Sequence, residues 1–70
     1  GGVELAQDLS TLAAAALELK RWDEAEAAAH ESLVLRERNP RESRWRIAYT
    51  RVLLGEAQLG QASAEPAALA

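Results

Sequence analysis

Seventy residues carrying a net charge of −3, with no cysteine and no methionine, leave room for one small domain or a piece of one. They exclude a multidomain enzyme, a disulfide scaffold and a cysteine metal site. Ordering such a chain costs on the order of 100 kcal/mol of conformational entropy, so a core this small stands near break-even and a segment of a larger array becomes a natural reading.

Apolar residues make up 49% of the chain but aromatics only 4%. The apolar content is therefore chiefly Ala and Leu, which favour helix over strand. Leu5, Leu9, Leu12, Ala16 and Leu19 recur at alternating intervals of four and three, the period of one helical stripe, and predict a first helix over residues 3–19. The basic pair Lys20-Arg21 suits the negative end of that helix. In Asp23-Glu24-Ala25-Glu26, Asp23 can accept a backbone N–H while Glu26 reaches back, so a second helix is expected over residues 23–38. Its buried face would carry Ala25, Ala28, Ala29, Ser32, Leu33 and Leu35. Asn39-Pro40-Arg41-Glu42 places a capping residue, a first-turn Pro and a Glu three positions after the cap, the start signal of a third helix over residues 40–60. Trp45, Ala48, Val52, Gly55 and Leu59 form its stripe, in which Gly55 marks either a close helix crossing or a tolerated defect. Ser63-Ala64-Glu65-Pro66 then predicts a truncated fourth helix over residues 64–70.

Shifting the sequence by 42 residues pairs Leu5 with Ile47, Leu12 with Leu54, Ala13 with Gly55, Leu17 with Leu59 and Ala25 with Ala67. A shift of 40 pairs Lys20 with Gly60 and aligns the turns, but it matches fewer apolar positions. A period of this size is a mark of helical repeats, in which no unit buries its face alone.

These residues resemble a known family. Leu9, Leu12, Ala13 and Ala16, then Trp22-Asp23-Glu24-Ala25, then Ala29, Ser32 and Leu33 look like one complete tetratricopeptide repeat. Leu53-Leu54-Gly55-Glu56-Ala57 looks like the Leu-Gly pair of the next. The 42-residue spacing with Pro40 is similar to the kinesin-light-chain-like subclass, and Trp45-Arg46-Ile47-Ala48 to repeat tracts of large bacterial proteins. Lys20 stands where the family usually has a turn glycine, Ala16 and Gln58 where an aromatic is common, and Ala64 where a turn aromatic would fall. The resemblance implies an all-α solenoid of antiparallel helix pairs spanning residues 1–70: three helices plus a truncated fourth. It also implies a non-catalytic scaffold that binds a partner peptide or protein on a concave face. The positions implied for that face are Gln7, Ser10, Ala14 and Leu17 on the first helix and Tyr49, Val52 and Glu56 on the third. Ser10 and Ala14 occupy the places where one subset of the family clamps a carboxylate with Lys, Asn or Arg, so no such clamp is expected.

Chemistry has little to build on. A single His30 without cysteine supplies neither a nucleophile pair nor metal-ligand spacing, and it reads as a surface residue. Glu24, Glu31 and Glu42 read as solubilising charges. There is no Gly-rich phosphate loop, so no enzyme activity, cofactor or metal is expected. Arg41, Arg44, Arg46 and Arg51 could touch nucleic acid, but the chain is acidic and they share no clean stripe, which leaves a helical DNA reader as the third-ranked reading. The second is a self-contained helical bundle or oligomerisation domain, natural or designed, without a ligand. Trp22 and Trp45 either anchor a partner or fill gaps between helices. The longest nearly uncharged stretch, Leu9 to Leu17, contains Ser10 and Thr11 and falls short of the roughly 18 apolar residues of a membrane span. No basic region followed by an apolar run opens the sequence, and Gly1-Gly2 reads as a processed end, an expression scar or an excised segment. The cytoplasm is the expected compartment, with self-association through exposed terminal helices a further expectation.

Overall fold

The structure, a computed structural model, describes the backbone of residues 2–69 and the side chains of residues 2–63. Three helices follow one another, α1 (Gly2–Glu18), α2 (Trp22–Arg38) and α3 (Arg44–Leu69), and among the described residues there is no strand. None of these helices is long and apolar enough to cross a membrane. The all-helical reading of the composition holds, and the first two helices fall within a residue of their expected bounds.

α1 ends as its last turn bends back on itself. The Lys20 N–H donates to the Leu17 carbonyl at 3.1 Å and the Arg21 N–H to the Ala16 carbonyl at 2.8 Å, the paired bonds of a Schellman cap. That cap requires a left-handed residue, and Lys20 supplies it with φ 59°, a conformation that disfavours any side chain bearing a Cβ. α2 starts one residue before its expected cap. Arg21 precedes it without a side-chain cap, and the proposed Asp23/Glu26 box does not form. Instead Asp23 Oδ1 and Glu26 Oε1 accept the two hydrogens of Gln61 Nε2 on α3, at 2.8 and 3.2 Å.

α3 starts four residues later than expected. Asn39 turns the chain by accepting the Arg41 N–H on its own Oδ1 at 3.0 Å, and its backbone carbonyl accepts the Glu42 N–H at 3.1 Å. Ser43 is the true cap, its Oγ accepting the Arg46 N–H at 3.4 Å. At the other end α3 runs on without a break between residues 60 and 63, so the backbone of 64–69 belongs to α3 and not to a fourth helix. Residue 70 and the side chains beyond Ser63, Ala67 of the proposed repeat among them, lie outside the described residues.

The core is built of alanine. Ala13, Ala28, Ala29 and Leu53 form one buried cluster and Ala16, Ala25 and Ala57 a second, with Leu9, Ala14, Leu17 and Leu54 packed on their edges. The expected stripe on α1 is therefore rotated. Ala6, Ser10, Ala13 and Ala16 are buried, whereas Leu5, Leu12 and Leu19 are 49%, 53% and 65% exposed. The expected stripe on α3 is displaced outright: Trp45, Ala48, Val52, Gly55 and Leu59 all face outward, and Thr50, Leu53 and Ala57 are buried. On α2 the expected Ala25, Ala28, Ala29 and Ser32 are buried, Leu33 and Leu35 only partly, and Arg36 joins the core unannounced. Burial repeats in part at the shift of 40, which pairs buried Ser10 with Thr50 and Ala13 with Leu53, and exposed Leu5 with Trp45, Leu12 with Val52 and Leu19 with Leu59, but buried Ala6 with exposed Arg46 and buried Ala16 with exposed Glu56. The shift of 42 pairs buried Ala13 with exposed Gly55, so its matches do not share an environment.

Glycine roles are exchanged relative to expectation. A Cβ at Gly55 would meet nothing within 4 Å, whereas one at Gly60 would run into the Trp22 indole, with Cε2 at 2.7 Å. The close approach is thus a ring laid on the α3 backbone at Gly60. Gly55→Ala should stabilise the chain by about 1 kcal/mol through helix propensity, Lys20→Gly by roughly 1 kcal/mol through relief of the left-handed strain, and Gly60→Ala should destabilise it. Urea unfolding followed by circular dichroism measures all three.

Candidate functional site

The seven residues expected on a concave face do not form one surface. Ser10 is 1% exposed and belongs to the interior, which removes it from any partner-binding role. Its environment explains why. Ser32 Oγ donates to the Ala6 carbonyl at 2.7 Å and so has no proton left for Ser10. Ser10 Oγ must therefore donate to Ser32 Oγ, at 2.8 Å, while it accepts from Arg36 Nη2 at 3.1 Å. The result is a directed chain from guanidinium to hydroxyl to hydroxyl to backbone carbonyl, which ties α2 to α1 through the gap left by small residues. Arg36 Nη2 also reaches Gln7 Oε1 at 3.2 Å, and Arg36 Nη1 stands 3.4 Å from Glu42 Oε1, with both side chains only 2% exposed. Glu42 is thus an interior counter-ion and not the solubilising charge expected. Its Oε1 also accepts the Ser43 N–H at 3.2 Å and lies 3.7 Å from Arg46 Nη1. Arg36 Nε is buried without a partner.

Ala14 and Leu17 are half-buried against the core. Gln7 lines one depression, with Val3, Glu4, Asp8, Arg36 and Arg46. Leu17 and Glu56 meet in another, a groove of about 370 Å³ completed by Trp22, Leu59, Gly60 and Ser63. Tyr49 and Val52 are exposed on α3, by 44% and 55%. Sequence reasoning thus placed two residues of the groove and missed four. Gly60 carried a usable signal, being the position that the discarded shift of 40 aligned with the α1 turn.

Each tryptophan takes a different part. Trp22 is half-buried on Gly60 and also lines the groove, so it fills a gap and offers an edge. Trp45 is 67% exposed, its ring 5.7 Å from the Arg46 guanidinium carbon, and it does not fill a gap between helices. His30 is exposed, and no group of three or more His, Cys, Asp or Glu among the described residues is arranged to hold a metal ion. Of the arginines considered for nucleic acid, Arg51 pairs with Glu37 at 2.9 Å and Arg46 with Glu42. Comparisons with family models, curated proteins and solved structures find no significant match for this chain.

Arg36 and Glu42 are out of water together, so removing one strands the other. Glu42→Leu or Arg36→Met alone should each cost about 3–5 kcal/mol, whereas the two combined should recover most of that loss, as replacement of buried ion pairs by packed apolar groups does. A double-mutant cycle by chemical denaturation measures the coupling, and additive losses would contradict the pairing.

Proposed function

We propose that the chain is a non-catalytic protein-interaction scaffold of tetratricopeptide type, one and a half units of a helical array, with its partner-binding surface between α1 and α3. One observation carries the reading. On α1, Ala6, Ser10, Ala13, Ala16 and Leu17 pack toward α2. Forty-two positions on stand Ala48, Val52, Gly55, Gln58 and Leu59, small or branched at four of the five places although Val52 answers Ser10 and Gln58 answers Ala16, and these face outward on α3. α3 thus bears an uncovered counterpart of the surface on which α1 receives α2. Such a face is what a repeat presents where its next neighbour would stack. Large exposed apolar side chains on one helix, Trp45, Val52 and Leu59 at 67%, 55% and 68%, agree with a surface meant to be covered.

The alternative, a self-contained bundle without a ligand, draws its support from the interior junction, in which Glu42 and Arg36 tie the start of α3 to α2 and α1 as a closed unit would. Replacing residues 62–70 with a second copy of Lys20–Arg38 that carries Phe for its tryptophan, in a Trp22→Phe background that leaves Trp45 as the one indole, separates the two. The array reading expects the grafted helix to cover α3, to shift Trp45 emission to the blue, and to raise the melting temperature by roughly 4–8 °C for each kcal/mol of new interface. An unchanged melt and unchanged Trp45 emission, together with sharp concentration-independent unfolding of the parent chain as a monomer, would establish the self-contained bundle instead.

A further inference from the structure

We infer that the groove between α1 and α3 docks an amphipathic helical segment whose aliphatic side chain is flanked by Lys or Arg, an inference that rests on the scaffold reading above and names the chemistry of its partner. The groove's walls are apolar. Leu17 comes from α1 and Leu59 from α3, and the Trp22 indole closes the end over Gly60. A concave apolar surface of about 370 Å³ takes an aliphatic side chain, and the missing Cβ at Gly60 is what lets the ring sit deep enough to form the end wall.

Charge selects what surrounds that side chain. Glu56 is exposed in the groove lining and makes no ion pair among the described residues. Glu18, next to Leu17, ends α1 with no basic residue in its last turn. Residues 2–18 contain Glu4, Asp8 and Glu18 but no Lys or Arg, and α3 beyond Arg51 contains Glu56 and Glu65 but no Lys or Arg. The cations nearest in sequence are Lys20 and Arg21, on the turn before Trp22. Arg21 is already paired with Glu24 at 3.7 Å. The remaining cations lie between Arg36 and Arg51, around the α2–α3 turn and away from the groove. An apolar slot whose one charged lining residue, Glu56, has no ion-pair partner among the described residues is complementary to a segment that is aliphatic at its centre and basic at its flanks. An acidic segment would meet like charge at Glu56.

The test uses the full chain with Trp45→Phe, which leaves Trp22 as the only indole and as a reporter inside the groove. Three short helical peptides are titrated: one with Leu along one stripe and Arg beside it, one with Glu in place of Arg, and one with Ala in place of Leu. The Leu/Arg peptide should shift Trp22 emission saturably. Its affinity should fall severalfold between roughly 0.05 and 0.5 M salt, drop about two- to fivefold with Glu56→Gln, and be lost with Leu59→Asp, a change at an exposed position that leaves the core intact. Equal binding of the Leu/Glu peptide would overturn the charge preference while leaving the scaffold reading standing. Equal binding of the Ala/Arg peptide would reduce the effect to nonspecific attraction and overturn the groove as a docking site. No response to either Leu peptide, with the fold verified by circular dichroism, would overturn both the inference and the placement of the binding surface between α1 and α3.

Discussion

A single buried guanidinium organises this molecule. Arg36 is 2% exposed in a core built chiefly of alanine, and it touches all three parts of the fold. It reaches α1 through Ser10 and Gln7, and the residues leading into α3 through Glu42. Burying one charge without a partner is prohibitive, so the chain between α2 and α3 has to deliver a carboxylate to that point. This requirement explains the turn. Residues 39–43 stay out of helix, Glu42 turns inward, and Ser43 takes over the capping that Asn39 was expected to do. The late start of α3 thus joins the local Asn39 turn to the electrostatic demand of the interior.

Alanine sets the rest of the geometry. Every buried apolar residue except Leu53 is alanine, and helices that meet through alanine approach closely enough for hydroxyl groups to bridge their backbones, as Ser32 does to the Ala6 carbonyl. Each such methyl contributes little, about 0.8 kcal/mol by transfer, so a core of this kind is thin in energy although dense in packing. The polar chain from Arg36 to Ala6 then contributes direction as well as energy. It fixes which faces of α1 and α2 meet, whereas a surface of alanines alone could slide by a turn.

The helices themselves were legible in the sequence, because Ala- and Leu-rich composition and the turn at Lys20 act locally. The faces were not. Leucine spacing put Leu5, Leu12 and Leu19 inside, but closeness of approach favoured the smaller residues one position on, Ala6 and Ala13, and left the leucines at the rim. The same inversion moved the α3 stripe. Trp45, Val52 and Leu59 carry the stronger hydrophobic signal, and Thr50, Leu53 and Ala57 occupy the interior. Ser10 was assigned to the concave face through the family resemblance, and Arg36 was given no role; neither can be placed until its partner across the helix pair is known. Leu17 and Glu56 both line the groove because they sit on the adjoining flanks of α1 and α3, a position less sensitive to a rotation of one residue. Gly60 was misjudged in favour of Gly55 because a glycine within an apolar stripe looks like a crossing, although the contact that needs the space comes from Trp22, outside any stripe.

The two internal shifts then describe different aspects of one object. The shift of 40 follows present environment in part: it matches Ser10 with Thr50 and Ala13 with Leu53 inside, and exposed Leu5, Leu12 and Leu19 with Trp45, Val52 and Leu59, but it sets buried Ala6 and Ala16 against exposed Arg46 and Glu56. The shift of 42 follows side-chain kind at Ala6/Ala48, Ala13/Gly55 and Leu17/Leu59, and so matches part of the surface with which α1 holds α2 to the outward surface of α3. In a closed bundle there is no reason for the second correspondence, since outward positions are free to be polar. In a stacked array both are expected, because each odd helix packs against the pair before it with one face and against its own partner with another. At 100° per residue Leu59 lies where the outward stripe of α3 adjoins the groove, so a helix seated on the stripe and a segment held in the groove would share that side chain. Covering α3 would then narrow the groove without filling it, and the two surfaces would be coupled through a single leucine.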